Sequence, residues 1–275
     1  MSLTSYDLLL EERRREDSAA RVFERFMHWG YWENPRDATG EIADYVQAMD
    51  RLNAQILSAS ELRDHQAVLD AGCGIGGTLA SINESRSGMC LAGVNIAPRQ
   101  IAIAREAVQA KNNNSILFVE ADACSLPFTD GCFDRVLAVE CIFHFPSRLS
   151  FLKEASRVLR TGGRLALSDF IPLHLGDASS LSGQWLRRQI SSSWGTMGSG
   201  WVDGSYREMG CATGLDLELE RDITIHTLPT YPLLLSLMRA SERRGLRKMI
   251  RATRLLEWLS RTERLQYKVI KFRKM

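Results

Sequence analysis

Nothing in the 275 residues approaches the roughly 18 to 20 uninterrupted apolar positions that a membrane-spanning helix needs. The opening residues hold no apolar leader core and soon reach Glu11-Glu12-Arg13-Arg14-Arg15, so no secretory signal is expected. The six cysteines, at 73, 90, 124, 132, 141 and 211, form no Cys-x-x-Cys pair. That spacing offers neither a disulfide framework nor a zinc site, and a reducing, cytoplasmic setting is expected. His65, His174 and His226 share no metal-ligand spacing, so no metal site is expected. Repeats and low-complexity tracts are missing, and at 45% apolar and 25% charged the composition excludes a collagen or a disordered tail. The formal charge of +2 is small only in total. Residues 239–275 hold thirteen Lys and Arg against three Asp and Glu, whereas residues 1–238 hold twenty-two against thirty. An acidic body therefore carries a basic tail.

What is present reads in three stretches. Residues 1–60 have helical spacing (Leu8, Leu9, Val22, Phe23, Phe26), interrupted by the aromatic loop His28-Trp29-Gly30-Tyr31-Trp32, with a second helix over about 41–59. They are expected to form an N-terminal helical cap. From residue 61 to about 230 short apolar runs (67–69, 89–94, 116–119, 136–139, 165–167) alternate with helical patterns near 77–85, 98–111 and 148–159. That rhythm implies βαβ units, hence an α/β, Rossmann-like, mostly parallel sheet with helices on both faces. An acceptor-side insertion is expected at about 174–210, with a mobile Ser- and Gly-rich loop over 179–204, a helix near 206–211 and a returning strand over 215–227. Residues 231–275 are expected to be a basic helical extension.

The first run leads straight into Asp70-Ala71-Gly72-Cys73-Gly74-Ile75-Gly76-Gly77. Glycines there let a ligand approach the backbone at a strand end. Two readings fit the spacing. Gly72, Gly74 and Gly77 satisfy the dinucleotide fingerprint G-x-G-x-x-G, which would suit an NAD-dependent dehydrogenase. Asp70 with Gly72, Gly74 and Gly76 satisfies D-x-G-x-G-x-G. A carboxylate at the strand end suits a ligand with a cation there and would repel a pyrophosphate. The dinucleotide reading also lacks an acidic residue about 20 positions beyond the glycines.

Further motifs follow in order: Asp122-Ala123 after the third strand, Phe133 to Val139 as the fourth, and Val158-Leu159-Arg160-Thr161-Gly162-Gly163-Arg164-Leu165 before the fifth. From about residue 60 to 172 this set resembles the class I S-adenosylmethionine-dependent methyltransferases. The resemblance implies seven strands with the last antiparallel, S-adenosyl-L-methionine as cofactor and S-adenosyl-L-homocysteine as product. It also implies that Asp70, Gly72, Gly74 and Gly76 hold the methionyl end and that Asp122 and Ala123 face the adenine. Many relatives carry an acid where Asn95-Ile96 closes the second strand; a small-molecule subgroup has instead a Gln in a P-x-Q arrangement, matched here by Gln100. Asn95, Ile96 and Gln100 are thus expected around the ribose, and Glu140 near the methionyl end or the acceptor.

DNA amino-methylases place an Asn/Asp-Pro-Pro-aromatic motif after the fourth strand. This chain has Glu140-Cys141-Ile142-Phe143-His144-Phe145-Pro146, and nothing resembles an RNA-binding module, so nucleic acid is not an expected partner. The segment resembles natural-product sugar O-methyltransferases and tocopherol C-methyltransferases, which implies a small-molecule acceptor. His144 is the candidate base for an acceptor hydroxyl, with Asp169 beside it as in that subgroup. Phe143, Trp29, Tyr31 and Trp32 are candidate acceptor-binding residues, His28 a further one, and Tyr6 a candidate fold-over residue. Transfer to carbon or nitrogen of a lipophilic acceptor, and binding of the cofactor without turnover, remain as alternatives. In the tail, Arg243, Arg244, Arg247, Arg251 and Arg254 face away from Leu246, Met249, Thr253, Leu256 and Leu259 on a helical wheel. Such a helix docks by its apolar side, makes a weak contact with an anionic membrane surface, or meets a partner or an acidic acceptor.

Overall fold

The computed structural model describes residues 20–173, 205–240 and 246–275, with Arg188. The expectations for residues 1–19 (Tyr6 among them), for most of the 174–210 insertion, and for Arg243 and Arg244 lie outside the described residues.

Among the described residues seven strands form one sheet in the order β3-β2-β1-β4-β5-β7-β6. They are β1 (Ala67–Ala71), β2 (Cys90–Asn95), β3 (Ser115–Glu120), β4 (Phe133–Val139), β5 (Leu159–Pro172), β6 (Leu215–Asp222) and β7 (Leu265–Lys274). β1 pairs in parallel with β2 and β4, β2 with β3, and β4 with β5. The cores of β1, β2 and β4 read as apolar runs because they are buried on both faces. β7 runs the other way: Leu173 N–H meets Arg264 O at one end of β5 and Lys274 Nζ meets Leu159 O at the other. Likewise Ile223 N–H donates to Tyr267 O and Met275 N–H to Gly214 O, so β6 and β7 are antiparallel. The implied antiparallel last strand is therefore present.

The helices are α1 (Ile42–Ser60), α2 (Gly77–Ser85), α3 (Pro98–Ala107), α4 (Arg148–Val158), α5 (Tyr206–Ala212), α6 (Thr224–Thr227), α7 (Thr230–Ala240) and α8 (Leu246–Arg261). None among the described residues is long and apolar enough to cross a membrane. α1 buries Tyr45, Ala48, Met49, Leu52, Ile56 and Ala59, an i, i+3, i+4 stripe. A full capping box, Ser205 with Glu208, starts α5.

Two expectations are corrected here. The strand expected over 215–227 ends at Asp222, whose carboxylate accepts from the Thr224 N–H and starts α6. The tail is not helical throughout, because its last residues are strand β7. Leu265, Tyr267, Val269, Ile270 and Phe272 are all buried there, so the sheet takes a strand from the stretch expected to lie beyond it. α8 docks by its apolar side, burying Leu246, Met249, Thr253, Leu256 and Leu259, while Arg247, Lys248, Arg251 and Arg254 are exposed.

The described residues divide into two units that cut across the three consecutive stretches. Unit 1 draws on Met1–Leu52, Phe170–Met197 and Asp222–Lys268; unit 2 on Asn53–Asp169, Gly198–Arg221 and Val269–Met275. Unit 1 is built around its aromatic loop. Trp29 meets Phe170 and Tyr231 edge-on, Phe170 meets Tyr267 at 4.4 Å, and Gly30 N–H donates to Thr230 Oγ1. A side chain at Gly30 would come within 2.7 Å of the Ala48 Cβ and the Trp32 ring.

Truncating Phe272 to Ala tests whether β7 is core. Loss of about 3 to 5 kcal/mol is expected, read as a lower urea midpoint with an unchanged slope. An appended tail would respond by less than about 0.5 kcal/mol.

Candidate active site

The carboxyl ends of β1 to β5, all in unit 2, carry most of the residues singled out from the sequence. Gly72 and Cys73 both donate their N–H to Val94 O, at 2.8 and 2.9 Å, which clamps the glycine loop to the end of β2. Gly72 has φ +81°, and a side chain there would sit 2.6 Å from the Cys141 Cβ. Gly76, with φ +87°, precedes α2 without a side-chain cap, and a Cβ would press on Val108, Phe118 and Ala104 at 3.0 to 3.2 Å. Both positions therefore require glycine for conformation and for space. The loop leaves its own backbone, and the uncapped N–H groups of α2, as the surface a ligand would meet.

Asp70 closes β1 at 2% exposure, and its Oδ1 has no hydrogen-bond partner. Burial pushes its carboxyl up to about 7. Such a group calls for a cation. Asn95 donates through Nδ2 to Gln100 Oε1 at 2.7 Å and accepts the Ala97 N–H, so the two amides form one polar unit at the end of β2. Ile96 beside them is 71% exposed, a bare apolar side chain at a strand end. Ala121 N–H donates to Asn95 O, which brings Asp122 and the buried Ala123 to the same edge. Asp122 Oδ1 accepts the Cys124 N–H, so the turn is held by its own aspartate. Glu140 is buried at the end of β4 with φ +50°, and its N–H donates to the Ser168 hydroxyl of β5. A non-glycine residue held there stores strain of about 1 to 3 kcal/mol.

His144 ends a short 3-10 turn, Ile142–His144, with its N–H on Cys141 O and its ring 4.2 Å from that of Phe143. Phe143 is buried and His144 half-buried. Asp169 does not present a free carboxylate. It is fully buried, and its Oδ2 takes Arg148 Nε at 2.7 Å and the Tyr206 hydroxyl at 2.7 Å, while Oδ1 has no partner. Burial alone would lower the Arg148 guanidinium; the Asp169 charge and hydrogen bond outweigh it and hold it above its ordinary value. Burial, then the Asp169 charge, pushes the Tyr206 hydroxyl well up.

Arg148, Tyr206, Ser168 and Cys141 were missed in the sequence. Arg148 did carry a signal: it is the first residue of α4, where the helix dipole disfavours a cation, and only a buried acid explains it. In unit 1, Trp32 is buried. It stacks on Tyr45, donates Nε1 to Asp44 and exchanges backbone contacts with His226. Trp29 is buried in the aromatic cluster, and Tyr31 stacks on His226 at 4.9 Å.

Residues 69–167 match a family described as a methyltransferase domain. Over 151 residues it is 34% identical to a methyltransferase of Streptomyces halstedii, which covers 54% of this chain and 52% of that protein. Over 146 residues it is 36% identical to the 27-O-demethylrifamycin SV methyltransferase of Amycolatopsis mediterranei, covering 53% and 51%. The chain thus spans about half the length of the curated relatives it matches. Among solved structures it is similar to a geranyl diphosphate C-methyltransferase from Streptomyces coelicolor, determined with Mg2+, geranyl diphosphate and S-adenosyl-L-homocysteine. The TM-score is 0.73 at 18% identity, covering 100% and 99% of the two chains, which shows a shared fold. The matched stretch contains every candidate of unit 2 except Asp169, two residues beyond its end.

The Asp169 ion pair gives a direct prediction. Asp169→Leu leaves Arg148 buried without its carboxylate and should cost about 3 to 5 kcal/mol. Pairing it with Arg148→Met should recover most of that loss in urea unfolding, whereas independent sites would give additive losses.

Proposed function

We propose that the chain is an S-adenosylmethionine-dependent methyltransferase acting on a hydroxyl of a small specialised metabolite. The observation that carries this reading is the buried, unpartnered Asp70 Oδ1 beside a loop where glycine is demanded by space. That pairing of a bare backbone with a carboxylate fits the methionyl end of the cofactor: backbone for the carboxylate, Asp70 for the ammonium. Asn95 and Gln100 supply polar groups for the ribose hydroxyls, Ile96 an apolar surface for the adenine, and Asp122 with Ala123 its far edge. Gly74, with φ +54°, continues the cradle.

When bound, S-adenosylmethionine supplies a methyl group on a sulfonium, open to in-line attack. The chain's own part is to orient the acceptor, exclude water and take the hydroxyl proton. We assign the proton to His144, one wall to Phe143, and the anchoring of the methionyl side to Glu140. Asp169 is then a positioning residue, acting through Arg148 on the segment four residues after His144. The Amycolatopsis relative is an O-methyltransferase by name, which supports oxygen as the acceptor atom. Transfer to carbon is the second reading, because the Streptomyces coelicolor enzyme of this fold is a C-methyltransferase. Fragmentation of the methylated product separates the two.

We place the reaction in the cytoplasm on the strength of six free cysteines, two of them, Cys73 and Cys141, buried at the glycine loop. With the apolar side of α8 buried within the protein, we hold any contact with an anionic surface to run through Arg247, Lys248, Arg251 and Arg254, with the half-exposed Trp258 on the same face.

Calorimetry with S-adenosylhomocysteine tests the cofactor assignment. Binding should tighten as pH rises from about 6 to about 8, because Asp70 titrates near 7 in the free protein and a bound ammonium favours its ionised form. The same binding should release a proton near pH 6.5, and Asp70→Asn should abolish both effects. Failure to bind at high micromolar ligand would sink the reading. Once an acceptor is in hand, His144→Ala should lower kcat by about 10² to 10⁴ with little change in KM, and full activity across pH would overturn the base role.

A further inference from the structure

Unit 1 contains a buried imidazole that the methyl-transfer chemistry does not use. His28 is 7% exposed, its Nδ1 lies 2.9 Å from Trp29 O, and its Nε2 has no hydrogen-bond partner. Its ring lies 4.7 Å from that of Phe26, and the Tyr45 hydroxyl donates to its backbone carbonyl at 3.2 Å. Only one tautomer satisfies this arrangement. A carbonyl oxygen cannot donate, so Nδ1 carries the proton and Nε2 presents a bare lone pair. Burial, opposed only in part by the bond to Trp29 O, lowers the imidazole to about 4, so the ring stays neutral around pH 7.

We propose that His28 Nε2 is a hydrogen-bond acceptor for a neutral hydroxyl on an aromatic or apolar ligand. The geometry discriminates among ligand classes. A carboxylate has only lone pairs to turn toward Nε2, and repels it. An ammonium could donate but would meet the Arg25 guanidinium, which already lies 5.6 Å from the centre of the Phe26 ring. A water molecule needs two to four polar partners to be worth holding in a buried place. A hydroxyl on a ring meets both demands, donating one hydrogen bond while its apolar body packs on Phe26. His28 is no base, because a nitrogen so reluctant to take a proton serves to orient a hydroxyl. That the ligand is the methyl acceptor rests on the function proposed above; the site itself stands on unit 1 alone.

Phenol is the probe, with anisole as its match lacking the O–H. In histidine-labelled protein at pH 7, long-range ¹H–¹⁵N correlations should show Nδ1 protonated and Nε2 bare. Phenol should shift the Nε2 resonance saturably, and anisole should not. His28→Phe should weaken phenol binding roughly tenfold, the worth of one good hydrogen bond. His28→Gln, whose side-chain carbonyl can stand near the Nε2 position, should largely keep it. Should the Phe variant fail to fold, the wild-type spectra and the Gln variant still decide. A proton on Nε2, or equal binding of phenol and anisole, overturns the proposal. S-adenosylhomocysteine titrated into the same sample separates the two readings: intact cofactor binding with no phenol response removes this site alone.

Discussion

The candidate site depends on one buried ion pair. Asp169 lies in the buried part of β5 with no exposed surface, and a carboxylate there is tolerable only when paired. Its partner Arg148 starts α4, against the preference of the helix dipole, so the pair overrides a local rule to satisfy a tertiary one. Tyr206, the first residue of α5, adds a second donor to the same oxygen. Three elements are thereby fixed at one carboxylate: the end of β5, the head of α4 just after the His144 turn, and the head of α5. A neutral apolar trio could match the stability of this cluster. Its distinctive property is directional, since the Nε and hydroxyl donors set the angles at which the two helices begin.

A second constraint is electrostatic and runs along the same edge. β1, β4 and β5 are neighbours, and their ends bring Asp70, Glu140 and Asp169 into burial together. The thiol of Cys141 registers the cluster: burial first, then the charges of Asp70, Asp169 and Glu140, push it well above its ordinary value. Asp169 has an arginine. Asp70, whose Oδ1 has no hydrogen-bond partner, leaves negative charge in a poorly solvated place, which can be relieved by taking up a proton or by receiving a cation. A sulfonium cofactor with a free ammonium brings two positive charges to such an edge. The acids and the glycines thus make separate demands that the same ligand meets.

The sequence showed what is local. β1, β2 and β4 were legible because a strand buried on both faces must be an apolar run, and α4 and α5 because their spacing and caps are encoded within a dozen residues. The glycine loop was legible because space and positive φ leave no alternative residue. β7 was not: Leu265, Tyr267, Val269 and Phe272 alternate with Gln266, Lys268 and Lys271, and those charges read as a continuation of the basic helix before them. Its half-polar alternation is what an antiparallel strand shows, but only the pairing with β5 and β6 explains it. The site divided the same way. Asp70, Asn95 and Asp122 could be located from position at strand ends. The true state of Asp169 could not, because its partners lie 21 and 37 residues away in sequence. The partners of Trp32 were equally out of view, since Asp44 and Tyr45 hold it across a turn of chain that its own loop does not reveal.

The division of charge along the chain also changes meaning once β7 is in the sheet. Lys271 of the basic tail bonds Glu61 at 2.8 Å and lies 3.1 Å from Glu218, and Arg164 joins the same two acids. The hydrogen bond from Lys271, outweighing burial, holds the Glu61 carboxyl below its ordinary value. Glu61 is half-exposed, so each pair contributes little alone, but four charges sharing partners form a network in which each ordered side chain serves twice. Part of the positive tail is therefore the counterpart of the acidic body within unit 2. The exposed arginines of α8 are a different case: with no acid in their first turn, Arg247, Arg251 and Arg254 share a face of the helix with Trp258, which is 48% exposed. A surface of that kind attracts by charge in a way that salt weakens, and its indole adds an apolar contact that salt does not screen.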